Sequence, residues 1–312
     1  MAVGRSNAML EIECIWECDD GLGETPIWVA EEASVYWADH VGPAIDLAGS
    51  RRPSIHRLNV ETGQRTTWPM PEQVGSFGFR PGGGLVCGAN SGFCTIDLRT
   101  GECDKVIDPE PDKPHNRLND GKIDRRGRFW CGSMNTKLCT KAAHIYCLEL
   151  DSTCREADED FSFVVSNGIA FDPQDTRIYF GDTFGGMIYV FDFDIDNGCI
   201  SNRRPFFSVE DRKPAIVDGA TVDSEGYYWF ALNLGGKILR VDANGRLDRE
   251  IHMPVRSPTC VAFGGKNYET LFVTSQQSFL SSAELARDPK PNSQFAIHDL
   301  GVRGLPEPQF GS

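Results

Sequence analysis

The fold class that the sequence predicts is all-β: a six-bladed β-propeller with four-stranded antiparallel blades around a central channel. Three observations predict it. One pattern of short apolar strands separated by turns returns six times, at the period of about 40 to 50 residues that marks propeller blades. The six units fill the 312 residues, so residues 1–312 read as a single propeller domain with a short N-terminal tail over about residues 1–10. No window sustains a long helical period; the best candidate, Ser281 to Arg287, is short.

The second strands of the units are the easiest to see. They are centred on Tyr36, Leu85, Phe129, Tyr179, Trp229 and Phe272, and each ends in a small or polar residue: Ala38, Gly88, Gly132, Gly181, Ala231 or Thr274. The third strands are equally regular, from Ile55–Leu58 through Phe93–Ile96, Ile145–Leu148, Ile188–Phe191 and Ile238–Val241 to Phe295–Ile297. Glycine turns such as Glu61-Thr62-Gly63 and Asn244-Gly245 follow several of them, which is hairpin chemistry.

The first strands align by their apolar ends, at Trp28, Phe79, Ile123, Phe171, Val222 and Phe263. Four residues before each anchor stand Glu24, Gly75, Asn119, Asn167, Asp218 and Thr259. First strands line a propeller's channel, so these positions form one ring containing two carboxylates and two amides. Carboxylates that face each other across a narrow channel repel unless a cation lies between them. Hard oxygen donors suit Ca²⁺, Mg²⁺ or Mn²⁺, and zinc also accepts carboxylates. One divalent metal ion (Ca, Zn, Mg or Mn) is therefore expected. Asn-Gly and Asp-Gly are also ordinary turn pairs, but four donors in register favour the metal.

Antiparallel strand order brings four connections to the ring's face: Asp39 to Pro53, Asp112 to Leu118, Ser133 to Ala143 and Gln276 to Asn292. Arg51, Arg52, Arg117 and Lys137 fall on them, as does an insertion in the first unit around Ile45 to Arg52. Basic side chains here could grip hydroxyls or an anionic group. Asp39 and Asp182 follow second strands and read as loop caps. His40 and His115 lie near this face without a visible partner.

Composition narrows the function classes. The formal net charge of −14 disfavours nucleic acid and anionic membranes as partners. No run approaches the roughly 18 apolar residues of a membrane helix, and residues 1–10 do not read as a signal peptide. The 11 cysteines include no Cys-x-x-Cys pair, so no zinc–thiolate cluster is expected and the thiols read as free, in a reducing, cytoplasmic compartment. No nucleophile elbow or phosphate loop stands out.

The motifs Gly23-Glu24-Thr25-Pro26-Ile27-Trp28, Asn116-Arg117-Leu118-Asn119-Asp120-Gly121-Lys122, Gly132-Ser133-Met134, Ser166-Asn167-Gly168, Asp218-Gly219, Phe263-Gly264-Gly265 and Leu300-Gly301-Val302-Arg303-Gly304 occur in this order. Together they resemble the family of senescence marker protein (regucalcin) and the bacterial gluconolactonases, over nearly the whole chain. The resemblance implies a six-bladed propeller with one divalent metal that hydrolyses an aldonolactone to the sugar acid. Carried over motif by motif, it implies Glu24, Asn167 and Asp218 as metal ligands and Arg117 and Asn119 as substrate contacts, with Asp218 the first choice for general base. Lys137 joins the substrate contacts; it stands near where some animal members carry an acidic residue. A basic face would suit a lactone with a second anionic group, such as an aldaric acid lactone or a sulfonated sugar. The rival readings are a calcium-binding regulatory propeller without catalysis and a metal-dependent phosphotriesterase-like esterase. The protein is expected to act on a small-molecule sugar lactone as a monomer or small homo-oligomer.

Overall fold

The computed structural model describes residues 10–18, 21–40, 52–277, 280–288, 290 and 292–312. Its strands form six four-stranded antiparallel sheets, the blades of a six-bladed propeller. The innermost strands are Leu22–Val29, Val74–Phe79, Asn116–Ile123, Ser166–Phe171, Ile216–Val222 and Pro258–Gly264. In blades 1 to 5 the next three strands follow in sequence order. Blade 6 differs: its outermost strand is Ile12–Trp16, which pairs with Gln294–Ile297 through Ile12↔Ile297 and Cys14↔Phe295. The first part of the chain thus completes the last blade. The expected tail, about residues 1–10, and the expected insertion, around Ile45 to Arg52, lie outside the described residues except for Leu10 and Arg52. The weak helical window yields one short helix, Ser282–Leu285, with Ser281 as its cap.

Period-two alternation gives way to near-complete burial in the second strands, where both faces meet neighbouring blades. Ser34–His40, Leu85–Ala89, Phe129–Asn135 and Tyr228–Asn233 are buried at every position. Six apolar clusters result, one in each blade-to-blade interface. Trp37, Trp130 and Trp229 are fully buried in them. Each aromatic ring of this kind removes about 150–250 Å² from water, so these residues dominate the packing. Asp124 and Asp223 start the turns after two innermost strands and accept from the indoles of Trp130 (2.9 Å) and Trp229 (2.8 Å), which satisfies those buried donors.

Every innermost strand slips register against its second strand. The shifts fall between Glu24 and Ile27, Val74 and Ser76, Leu118 and Gly121, Asn167 and Ala170, Val217 and Ala220, and Pro258 and Val261. Such bulges re-aim side chains, and here they coincide with the ring positions. At Asn167 the next residue must adopt a left-handed conformation. Gly168 does so, with φ +68°, and a Cβ there would lie 2.3 Å from Tyr228 Oη.

The far end of the channel is crossed by the last residues of the chain. Ser224 N donates to Arg303 O (2.8 Å), Gly304 N to Tyr268 O (2.8 Å), Phe310 N to Phe79 O (2.8 Å) and Gly311 N to Gly127 O (3.0 Å). Beneath this segment Lys122 pairs with Glu307 at 2.7 Å. The segment thus partly covers the far end, over a cavity lined by Thr25, Asp120, Lys122 and Glu307.

Candidate active site

Glu24, Asn119, Asn167 and Asp218 all line one buried cavity at the channel mouth. Two further tiers surround them. Two residues before them in sequence stand Leu22, Arg117, Val165 and Ile216; the ends of the facing second strands supply His40, Met134 and Asn233, and the residues just past two others supply Thr183 and Gln276. Leu138 and the exposed ring of Phe184 give the cavity an apolar rim.

The amides are held by a chain of hydrogen bonds. Arg117 Nη1 donates to Leu118 O (2.8 Å) and to Asn119 Oδ1 (2.9 Å). Asn119 Nδ2 donates to Ser166 O (2.8 Å) and Asn167 Oδ1 (3.3 Å), and Asn167 Nδ2 donates to Thr183 Oγ1 (2.9 Å). Asn233 Nδ2 donates to Asp218 Oδ2 at 2.7 Å. Side chains fixed in this way need little reordering when a ligand arrives.

Burial and repulsion between carboxylates dominate the electrostatics. Burial, with the charges of Asp218 and Asp120 behind it, holds the Glu24 carboxyl well above the usual carboxylate range. Burial raises Asp218 as well, against the hydrogen bond from Asn233. Burial also draws the Arg117 guanidinium down to about 10, although Glu24 favours its charge. Two buried carboxylates and two buried amide oxygens fit a hard divalent cation, whose charge removes the desolvation and repulsion that both acids suffer. No histidine stands in the ring itself.

Of the substrate contacts expected from sequence, Arg117 and Asn119 line the cavity. Lys137 does not: it is exposed, in the turn that follows Phe129–Asn135, and its neighbour Leu138 faces the cavity instead. Arg52 is exposed too. Asp182 accepts from Gly185 N (3.0 Å) and Asp39 from Gly21 N (2.8 Å), so both cap loops as expected.

His40, which the sequence placed near this face without giving it a role, belongs to the site. It is buried in the cavity wall, and neither ring nitrogen has a hydrogen-bond partner. Burial, helped by Arg117, pushes its pKa down to about 3, so the ring is neutral. Asn233 Oδ1 and Gln276 Oε1 are likewise buried without partners. A signal for these residues existed. The small residues that end the second strands, Ala38, Gly181, Ala231 and Thr274, each stand two positions before a cavity residue: His40, Thr183, Asn233 and Gln276.

Residues 22–277 match the SMP-30/Gluconolactonase/LRE-like region family model. The chain is 34% identical to a 6-deoxy-6-sulfogluconolactonase of Pseudomonas putida, over 96% of this chain and 98% of that one. It is 31% identical to regucalcin of Danio rerio, over 95% and 97%. Among solved structures, a calcium-binding regucalcin of Agrobacterium tumefaciens superposes with a TM-score of 0.86, at 24% identity, over 95% of this chain and 96% of that one.

Proposed function

Because the chain belongs to the SMP-30/gluconolactonase/LRE-like family, we propose that it hydrolyses a sugar lactone to the open-chain sugar acid at the channel mouth. The observation that carries this reading is the pair of buried, mutually repelling carboxylates, Glu24 and Asp218, in one cavity with fixed amide oxygens. Glu24, Asn167 and Asp218 would hold a divalent cation, for which Ca²⁺ is our choice because a structural neighbour is described as calcium-binding. When bound, the ion supplies Lewis-acid polarisation of a carbonyl.

The residues themselves divide the remaining work. Asp218, oriented by Asn233, accepts a proton from the attacking water as the water oxygen bonds to the lactone carbonyl carbon. The ring C–O bond then breaks, and the proton passes to the departing ring oxygen. Neutral His40 and the free amide oxygens of Gln276 and Asn233 offer hydrogen bonds to sugar hydroxyls, while Arg117 and Asn119 keep the amide chain in place and meet the substrate from the ring. The rim formed by Phe184 and Leu138 would cover an apolar sugar face.

The substrate class is an aldonolactone, with a sulfonated one a specific candidate, since a relative is named for that activity. Lys137, exposed beside the mouth, would meet an anionic end that projects from the cavity. A cytoplasmic role in carbohydrate metabolism belongs to the same proposal.

The test is lactone hydrolysis followed by pH indicator on metal-stripped protein. Ca²⁺, Mg²⁺, Mn²⁺ and Zn²⁺ are returned separately, against neutral and sulfonated aldonolactones. The proposal expects metal-restored turnover that falls at least a thousandfold in Asp218→Ala. Metal binding without turnover on any lactone would overturn it in favour of a regulatory binder.

A further inference from the structure

Blade 2 carries a second group of metal-ligating side chains, remote in chemistry from the channel. Glu72, Cys94 and Cys103 bring one ligand atom each to within 4.8 Å of one another. A fourth donor is adjacent. Cys87 stands directly opposite Cys94 in the pairing of Leu85–Ala89 with Gly92–Ile96; it is buried beside the group but lies outside its 4.8 Å limit. Cys103 opens the outermost strand, Cys103–Ile107, opposite Ile96. The cluster thus draws on three successive strands and the connection that precedes the blade.

Glu72 is already oriented. Its two carboxylate oxygens accept from Ser91 N (2.7 Å) and Ser91 Oγ (2.6 Å), which fixes the group while leaving each oxygen a further lone pair. The sulfurs lie against the apolar interface between blades 1 and 2, so the pocket excludes water on that side. Cys103 and Glu72 are only partly buried and leave an entry path from the blade's outer edge. Three thiols and one carboxylate, drawn from rigid strands, match the ligand types and the coordination number of structural zinc. Tetrahedral closure, with sulfurs roughly 3.8 Å apart around bonds of about 2.3 Å, asks for adjustment of about an ångström among Glu72, Cys94 and Cys103 and for a larger movement of Cys87.

We propose that Cys87, Cys94, Cys103 and Glu72 form a structural zinc site that ties the outermost strand of blade 2 to its centre. Zn²⁺ displaces one proton from each thiol to solvent and takes three thiolate donors and one carboxylate oxygen.

The probe is Co²⁺ added to reduced, metal-stripped full-length protein. The readout is the near-ultraviolet thiolate-to-cobalt charge-transfer band and the visible bands of tetrahedral cobalt, with Zn²⁺ then displacing the colour. The proposal expects these bands in wild type and unchanged in Asp218→Asn, which perturbs only the channel. It expects at least a tenfold weaker affinity in Cys94→Ala and in Glu72→Gln, the latter keeping its shape and its metal-free melting temperature. Lactone turnover of Cys103→Ser should stay within twofold of wild type, which separates this site from the channel. Folded wild-type protein that develops no charge-transfer band, bands that form in Cys94→Ala with wild-type affinity, or a Cys94–Cys103 disulfide forming in place of metal binding would each overturn the proposal.

Discussion

Asn233 donates to Asp218 across 2.7 Å, from the end of one strand to the ring position of the strand beside it. The bond fixes the orientation of a carboxylate that burial would otherwise drive towards its neutral form. Removing the amide should therefore act through Asp218. For Asn233→Ala we expect kcat to fall about 10–100-fold, the range found for residues that orient metal ligands, with calcium affinity reduced in parallel. Steady-state kinetics with calorimetric titration of Ca²⁺ decide this; wild-type kcat in the variant would show that Asp218 needs no orienting partner.

His40 supplies a separate prediction. Its ring is neutral across the working range and makes no well-formed hydrogen bond with the backbone of Val74 and Gly75 beside it, which leaves it able to bond a substrate hydroxyl. A single neutral hydrogen bond contributes about 0.5–1.5 kcal/mol. His40→Ala should accordingly raise KM about three- to tenfold, leave kcat within threefold, and add or remove no ionisation between pH 5 and 8. A lost inflection in the pH profile would instead identify His40 as a titrating catalyst.

The metal-free protein should lose stability as pH rises. Asp120 lies buried beside the channel, accepts a hydrogen bond from Ile169 N (2.9 Å), and has its pKa raised by burial from 3.8 to about 6. A raised carboxylate pKa means that the folded state binds its proton more tightly than the unfolded chain. The stabilisation is thus complete below about pH 4 and is lost as pH climbs through about 6. At 1.36 kcal/mol per unit the contribution of this one group is about 2–3 kcal/mol. Glu24 and Asp218 act in the same sense. Urea unfolding of metal-stripped protein at pH 5 and pH 7.5 should show the drop, and Asp120→Asn should shrink it; equal stabilities at the two pH values would contradict the assignment.

Gly168 tests the bulge geometry. An alanine there must hold a left-handed conformation and press its methyl against the Tyr228 hydroxyl, which now donates to Gly168 O at 2.7 Å. The backbone penalty alone is about 1–2 kcal/mol, and loss of a buried hydrogen bond adds about 1 kcal/mol. Gly168→Ala should lower unfolding free energy by about 2–3 kcal/mol and weaken calcium binding by displacing the adjacent Asn167. Tyr228→Phe separates the two effects, since it removes the hydrogen bond and keeps the glycine.

The repeat made much of this legible. Aligning first strands by their apolar ends picked out Glu24, Asn119, Asn167 and Asp218, and the structure brings all four to one cavity. That worked because a propeller repeats its geometry, so equal sequence offsets become equal heights along the axis. The same logic would have reached His40, Thr183, Asn233 and Gln276, but the second strands were followed only to their small residues, two positions short. Lys137 illustrates the opposite limit: a loop's side of the fold is legible from strand direction, while the way a side chain points within it is not. The thiols of Cys87, Cys94 and Cys103 escaped because spacing rules look along the chain, and these sulfurs meet across strands.

The pairing of Ile12–Trp16 with Gln294–Ile297 has a consequence for how the protein comes into being. Those partners are separated by all the other blades in the sequence, so the ring cannot shut until Gln294–Ile297 has left the ribosome. Until the last blade is made, its neighbours expose apolar interfaces and unpaired strand edges, the surfaces that chaperones recognise and that lead to aggregation. Closure also spends the largest loop entropy in the molecule on a single pairing. Cutting the strand Ile12–Trp16 away from Gln294–Ile297 should therefore loosen the whole circle, not one edge of it.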